Sequence, residues 1–434
     1  MRNIYILTSL MFMLGFSQIK AQQTPANTSN ETISIVGATA HIGNGSVIEN
    51  ATIILEAGLI KEIGKSNEIA TQGTVINAEN QHVYPGIVMP NSTLGLGEID
   101  AVRATRDFDE LGSLLPHVRS LIAYNAESKV VESMRPNGIL LAQVTPRGGR
   151  ISGTSSIVQL DAWNWEDAAI KIDDAIHINW PNSYKYKYAS FGQVIISEEN
   201  KDYQKEVNEL KTFLSNAKAY KEDGSTKKNL PFAAAQGIFN GKQKVFVHVS
   251  KQKGIIDAIA LMKSMGINEL VLVGADEAYQ IIDLIKNENI SIVVKRVHSL
   301  PNSEDDDYDR PYKNAATLFR NGILVSLENS GDMERMNGRN LPFYAGTTTA
   351  YGLSFEEALQ MITLNAAKIL GIDKTYGSLE KGKSATLFIS KGNALDMRGN
   401  MLTKAFIDGR AISLETHQTE LWKRYMDKFS QAEE

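Results

Sequence analysis

The chain has 434 residues, 43% of them hydrophobic and 22% charged, with a net charge of −5 and no cysteine. That composition predicts a folded protein rather than a disordered one, long enough for one large barrel or for two to three smaller domains. Outside the N-terminus Lys and Arg nowhere gather without acidic neighbours, which excludes a nucleic-acid or anionic-membrane footprint and points to a small-molecule ligand, and the lack of cysteine excludes a disulfide framework.

Residues 1–21 open with Met1-Arg2, run apolar from Ile4 to Phe16 and end at Ala21 before Gln22-Gln23-Thr24. One positive charge, an apolar core short for a bilayer span and a small residue at the cut position read as a secretory signal. The mature protein is therefore expected to be periplasmic or secreted, with no membrane insertion once the signal is removed. After a polar stretch, Thr32–Val36, Ala51–Leu55 and Leu59–Ile63 read as short strands broken by Gly43-Asn44-Gly45 and Glu56-Ala57-Gly58. The same pattern returns near the other end at Ala385–Ile389 and Lys404–Arg410.

Between these β-rich ends the rhythm becomes strand then helix. Val245–Val249, Leu270–Val273, Ile290–Val294 and Gly322–Leu327 are buried-type strands, separated by helical patterns at 254–265, 277–287 and 312–321. Such repeats call for a parallel sheet covered by helices, and at this length a closed barrel is the economical arrangement. The stretch 354–370 predicts one helix, with Ser354 and Glu357 as a capping box and Gly371 as its left-handed stop. A charged helix over 198–221 reads as a peripheral insertion. The expected organisation is a signal (1–21), the first part of a β-sandwich (22–84), a barrel (85–375, with a helical insertion at 196–225), the second part of the sandwich (376–415) and a C-terminal helix (416–434).

Particular residues at the junctions sharpen this picture. Tyr84-Pro85-Gly86-Ile87-Val88-Met89-Pro90-Asn91-Ser92-Thr93, Gly352–Leu359, Thr363-Leu364-Asn365-Ala366-Ala367-Lys368-Ile369-Leu370-Gly371 and Gly377–Ala385, with Asp408-Gly409-Arg410, follow one another in a specific order. In that order the chain resembles the amidohydrolase superfamily, in particular its imidazolonepropionase-like branch. The resemblance implies an α/β fold: a (β/α)8 TIM-type barrel beside a small β-sandwich built from both chain ends. It also implies hydrolysis of non-peptide C–N bonds by water activated on a divalent metal such as zinc.

The family's metal ligands are a His-x-His pair after the first barrel strand, histidines after two later strands and an Asp after the last. Here the pair becomes Asn91 and Thr93, neutral groups that hold zinc poorly. His248 stands at the first later position, Val273-Gly274 at the second, and Ser330 at the expected Asp, with Asp332 two residues on. The cofactor is thus unknown: the family implies zinc while most ligand positions are absent. His117, His177 and His298 remain as elements of a rebuilt site, although a core or loop histidine is the plainer reading of each.

The residues expected to act are His248 as metal ligand or general base, assisted by Glu98 or Asp332, with Asn91, Thr93, Arg147, Arg150 and Ser330 touching substrate. Arg147–Ser156 reads as a Gly/Ser/Arg loop whose amides could hold an anion or could be an ordinary glycine loop. Glu98–Glu110 reads as a polar rim or a salt-bridged helix start, and Glu304–Arg310 as a solvated acidic turn. Two functions stay open: a hydrolase of a small cyclic amide or amidine, or a metal-free, catalytically silent relative. The silent form would bind a small molecule or partner an active paralogue. A homodimer, or a pair with a related amidohydrolase, is the expected assembly.

Overall fold

Five strands come first among the described residues: β1 (Ile33–His41), β2 (Val47–Glu56), β3 (Leu59–Lys65), β4 (Thr74–Asn77) and β5 (His82–Pro85). Ala57 and Gly58, at φ 50° and 81°, make the two-residue turn that joins β2 to β3 with the twist a hairpin needs. The computed structural model describes residues 25–29, 31–188, 194–221, 228–301, 306–331 and 333–430. The signal read at 1–21 and the candidate Asp332 therefore lie outside the described residues.

A second group of strands follows: β6 (Ile87–Ser92), β7 (Ile139–Val144), β8 (Ile151–Gln159), β9 (Ala169–Asn179), and the hairpin β10 (Tyr184–Tyr188) and β11 (Val194–Glu199). Helix α1 (Tyr203–Ala219) then leads to β12 (Lys244–Val249), α2 (Gln252–Ser264), β13 (Leu270–Gly274), α3 (Ile282–Asn287), β14 (Ser291–Val294), α4 (Arg310–Arg320) and β15 (Val325–Leu327). The chain closes with α5 (Phe355–Ile362), α6 (Leu364–Leu370), β16 (Leu387–Ser390), β17 (Leu402–Ile407), β18 (Arg410–Ile412) and α7 (His417–Ser430).

Both chain ends build one sheet. Its order is β18-β17-β16-β5-β1-β2-β3, with β4 also on β1, and Ile35, Ile53, Ile389 and Phe406 share its core. The barrel sheet runs β15-β14-β13-β12-β9-β8-β7-β6, and its edge strands β6 and β15 come together where Asn91 Nδ2 donates to Glu328 Oε2 at 3.0 Å.

Four expectations change in detail. The barrel is not uniformly parallel, because β8 runs antiparallel to both β7 and β9. Residues 145–150 are all that joins β7 to β8, and a parallel return needs a crossover of about a dozen residues or more. The stretch read as a Gly/Ser/Arg loop is thus a tight turn at 147–150 followed by strand β8. The helix expected over 354–370 is broken at Thr363 (φ −123°, ψ −95°), although its capping box and its left-handed Gly371 are present. Glu198 and Glu199, read as the start of the charged helix, belong instead to β11, paired with Lys185 and Tyr184.

The barrel's interior is layered. Val88, Leu141, Ile157, Ala175, Phe246, Val271 and Val293, one from each of seven strands, cluster with Ala366, Ile369 and Leu370 of α6. This apolar layer closes one end. Side chains on a strand alternate faces, so the residues two further along toward the C-terminal ends of the parallel strands form the next layer. These are Gln143, His177, His248, Val273 and Lys295, joined by Ser155 from the reversed β8. A mostly polar layer therefore sits on the apolar one, at the barrel end where enzymes of this architecture place their chemistry.

Candidate active site

Strand β6 delivers the first group through a bulge. Its register with β7 shifts between Met89 and Ser92, where Pro90 cannot donate to the ladder, and Asn91 adopts φ 50°, a conformation that asparagine tolerates better than most residues. The bulged Asn91 N–H donates to Gln143 Oε1 at 3.0 Å. Arg147 reaches back from the β7–β8 turn, donating from Nη1 to Asn91 Oδ1 at 3.0 Å and from Nη2 to Asn91 O at 2.9 Å and Glu334 Oε1 at 3.0 Å. Thr93 donates its N–H, at 3.1 Å, and its hydroxyl to the same Glu334 oxygen. The two residues in the His-x-His places are thus bound into an arginine–carboxylate network.

Glu328 follows β15 and is 1% exposed. Its Oε2 accepts from Asn91 Nδ2 and from Ser330 N–H at 2.9 Å, and its Oε1 faces the Ser330 hydroxyl. Burial pushes its pKa from 4.5 up to about 7; Ser330 opposes the rise, Glu334 adds to it, and Arg147 and Asn91 oppose it. The geometry suits the neutral acid: a proton on Oε1 can be donated to Ser330 Oγ while Oε2 still accepts two bonds.

On the opposite strands, His177 and His248 meet, His177 Nδ1 lying 3.0 Å from His248 Nε2. Behind them Ser155 Oγ is 2.9 Å from His177 Nε2 and donates to Asp174 Oδ1 at 2.7 Å. Asp173, at φ 53°, makes the β9 bulge beside the fully buried Asp174. Burial first, and the Arg147 charge second, hold His248 down at about 3. His177 is held well below the usual imidazole range by burial, His248 and Arg147. Both rings are therefore neutral at any physiological pH.

His248, Glu328, Ser330 and Lys295 line one cavity of about 530 Å³, walled also by Trp180 and Asp276. Lys295 makes no ion pair among the described residues. Its ammonium adds a positive charge to the wall of a site large enough for a small molecule.

The predicted residues divide. His248 and Ser330 reach the cavity, and Asn91, Thr93 and Arg147 form the network behind it. Glu98 does not join them; its carboxylate binds Asn125 Nδ2 at 3.1 Å and Ser128 Oγ at 2.9 Å. Arg150 ties Asn179 O, at 2.8 Å, to Glu206 of α1, at 2.9 Å. Of the turn amides proposed as an anion cradle, those of Arg147 and Arg150 are spent on Phe108 O and Ser113 O. His298 bonds Thr347 instead. Glu328, Glu334, Ser155, Asp174, Gln143 and Lys295 were not singled out by sequence. The signal that marks Gln143 and Ser155 is a polar residue at an inward position of an otherwise apolar strand.

A catalytic zinc does not fit the described donors. Asn91 Oδ1 and Thr93 Oγ1 are engaged by Arg147 and Glu334, Val273 and Gly274 offer no ligand, and the facing nitrogens of the two imidazoles bond each other. No group of three or more His, Asp or Glu able to hold a metal occurs among the described residues. The cation beside Asn91 and Thr93 is the Arg147 guanidinium, fixed by hydrogen bonds to Asn91, Pro146 and Glu334.

Residues 198–412 match the profile of the amidohydrolase family. The imidazolonepropionase of Flavobacterium psychrophilum is 29% identical over 109 residues, 24% of this chain and 26% of that one. The imidazolonepropionase of Flavobacterium johnsoniae is 28% identical over the same shares. The match thus spans about a quarter of these relatives' length. Among solved structures, an amidohydrolase from Thermotoga maritima superposes with a TM-score of 0.75 at 20% identity, covering 88% of this chain and 99% of that one. Molinate hydrolase gives 0.55 at 13% identity over 89% and 96%. At such identities these two likenesses speak for the fold alone.

Proposed function

Because the chain belongs to the amidohydrolase superfamily, we propose that it hydrolyses a non-peptide C–N bond of a small cyclic amide or amidine without a catalytic metal. The observation that carries this reading is the pairing of Glu328 and His248 on the wall of one cavity at the barrel's polar end.

Water attacks the carbonyl or amidine carbon and gives a proton to His248. As the new C–O bond forms, negative charge gathers on the substrate oxygen or nitrogen, where Lys295 opposes it. The C–N bond then breaks, and Glu328, which keeps its proton up to about pH 7, donates it to the leaving nitrogen. Burial first, and the fixed positive charge of Arg147 second, keep His248 neutral, and Arg147 also restrains the rise of the Glu328 pKa. The relatives' name, imidazolonepropionase, supports a ring as substrate.

The test is a panel of lactams, hydantoins and imidazolones incubated with purified protein, with ring opening followed by loss of ring absorbance. Wild type opens at least one ring, while Glu328→Gln loses about 10²-fold or more in turnover, and activity falls as pH rises through about 7, where Glu328 gives up its proton. A panel left untouched, or a Glu328→Gln variant of undiminished rate, ends this reading.

A further inference from the structure

His248 is an awkward base. Burial and the neighbouring guanidinium disfavour its charged form, so a proton taken from water has reason to move on. The hydrogen bonds behind the ring show where it can go, and their directions follow from one fixed point.

That point is Gln143. Its Oε1 accepts the Asn91 N–H, so its Nε2 is turned the other way and donates to Asp174 Oδ2 at 2.8 Å and Ser155 Oγ at 3.2 Å. Burial raises the pKa of Asp174, while hydrogen bonds from Ser155 and Gln143 and the charges of Lys171 and Lys244 pull the other way; in the ionised resting state that these donors fit, both its oxygens accept. The Ser155 hydroxyl then donates to Asp174 Oδ1, at 2.7 Å. Ser155 Oγ is left to accept, so the proton of His177 lies on Nε2, at 2.9 Å. His177 Nδ1 is a bare lone pair, and His248 donates to it from Nε2, at 3.0 Å. His248 Nδ1 therefore carries no proton, and it has no partner among the described residues. Four groups thus determine one tautomer.

The same contacts are satisfied with every donor reversed. A proton arriving at His248 Nδ1 releases the Nε2 proton to His177 Nδ1, the His177 Nε2 proton passes to Ser155 Oγ, and the Ser155 proton passes to Asp174 Oδ1. One proton enters, one carboxylate becomes a carboxylic acid, and no group along the path ends charged. We infer that Asp174, Ser155 and His177 form a buried relay that sets the tautomer of His248 and stores at Asp174 the proton that His248 accepts in the cavity. All three are positioning residues that act through His248. Burial raises the pKa of Asp174 above the usual carboxylate value, which suits it to hold a proton. After the leaving nitrogen has taken the proton of Glu328, the stored proton returns along the same path to the cavity. The catalytic use of the relay rests on the hydrolytic reading above; the tautomer does not.

The experiment is long-range ¹H–¹⁵N correlation on full-length protein labelled at histidine nitrogen, without substrate, with signals assigned from His177→Gln and His248→Gln. Wild type is expected to show a bare Nδ1 and protonated Nε2 on His248, and a through-hydrogen-bond coupling from that Nε2 to His177 Nδ1. Asp174→Asn should reverse the chain. Gln143 holds the asparagine oxygen at the Oδ2 place, the asparagine amide nitrogen then donates to Ser155, and the His248 proton moves to Nδ1. A purely structural Asp174 would leave the tautomer unchanged in the variant, and that result overturns the inference. If Asp174→Asn fails to fold, the wild-type spectrum decides, since a proton on His248 Nδ1 or a missing coupling overturns it equally. Failure of the hydrolysis panel touches neither spectrum, so the two readings fall separately.

Discussion

Replacing Glu328 by Gln isolates the most consequential charge in the site. The amide fits: its oxygen can take the place of Oε2, accepting from Asn91 and Ser330 N–H, while its nitrogen donates to Ser330 Oγ. The variant thus copies the protonated acid and removes only the ability to ionise. In wild type the folded pKa stands at about 7 against an ordinary 4.5. Below the ordinary value both folded and unfolded chains hold the proton and the group is neutral in its effect. As pH rises toward 7 the unfolded chain releases the proton while the folded one retains it, so stability is lost, and the loss is complete once pH passes the folded value. At about 1.4 kcal/mol per pH unit of displacement, the full effect is about 3 kcal/mol. Denaturant unfolding of wild type and Glu328→Gln at matched pH between 4 and 8.5 isolates this term, because all other titrations are common to both. The variant should gain on wild type by about 3 kcal/mol across that range. Parallel curves would refute the placement of a neutral carboxylic acid at the barrel mouth.

Arg147→Met removes the counter-charge of Glu334, to which the guanidinium bonds at 3.0 Å with little exposure on either side. Breaking this half-buried pair should destabilise the fold by about 2 kcal/mol, between the exposed and the fully buried cases, and move the titration of Glu328 to still higher pH, since Arg147 lowers it. A loss below about 1 kcal/mol, typical of an exposed pair, would show that the network does not hold the site. Deleting residues 387–434 takes β16 from its pairing with β5 and Phe406 from the core it shares with Ile35. The truncated chain should be insoluble or lack a cooperative unfolding transition, and a soluble, cooperatively melting product would contradict the composite sheet.

What the sequence discloses and what it hides have physical causes. The composite sheet, the later βα units and the seat of His248 are legible because local patterns and ordered junction motifs carry them. Asn91 and Thr93 are legible as departures, since an uncharged pair where imidazoles are expected is visible in the letters alone. The reversed β8 is not, because a short glycine turn between apolar runs reads equally as a loop. With β8 misread, Ser155 cannot be placed beside His177, and Asp174 looks like one of two acidic residues in a strand rather than the end of a buried path. Glu328 was passed over for Ser330 because a shift of two residues keeps the same face of a strand. Thr363 interrupts a helix whose hydrophobic spacing continues on both sides, which periodicity does not detect.

The proposed hydrolysis proceeds without a metal, with Arg147 as the fixed cation beside Asn91. Elemental analysis of the purified protein, before and after dialysis against a chelator and paired with the ring-opening assay, tests this most directly. Undiminished hydrolysis with no stoichiometric zinc, iron or manganese is the predicted result. One tightly held equivalent of such a metal, whose removal abolishes turnover and whose return restores it, would contradict the account.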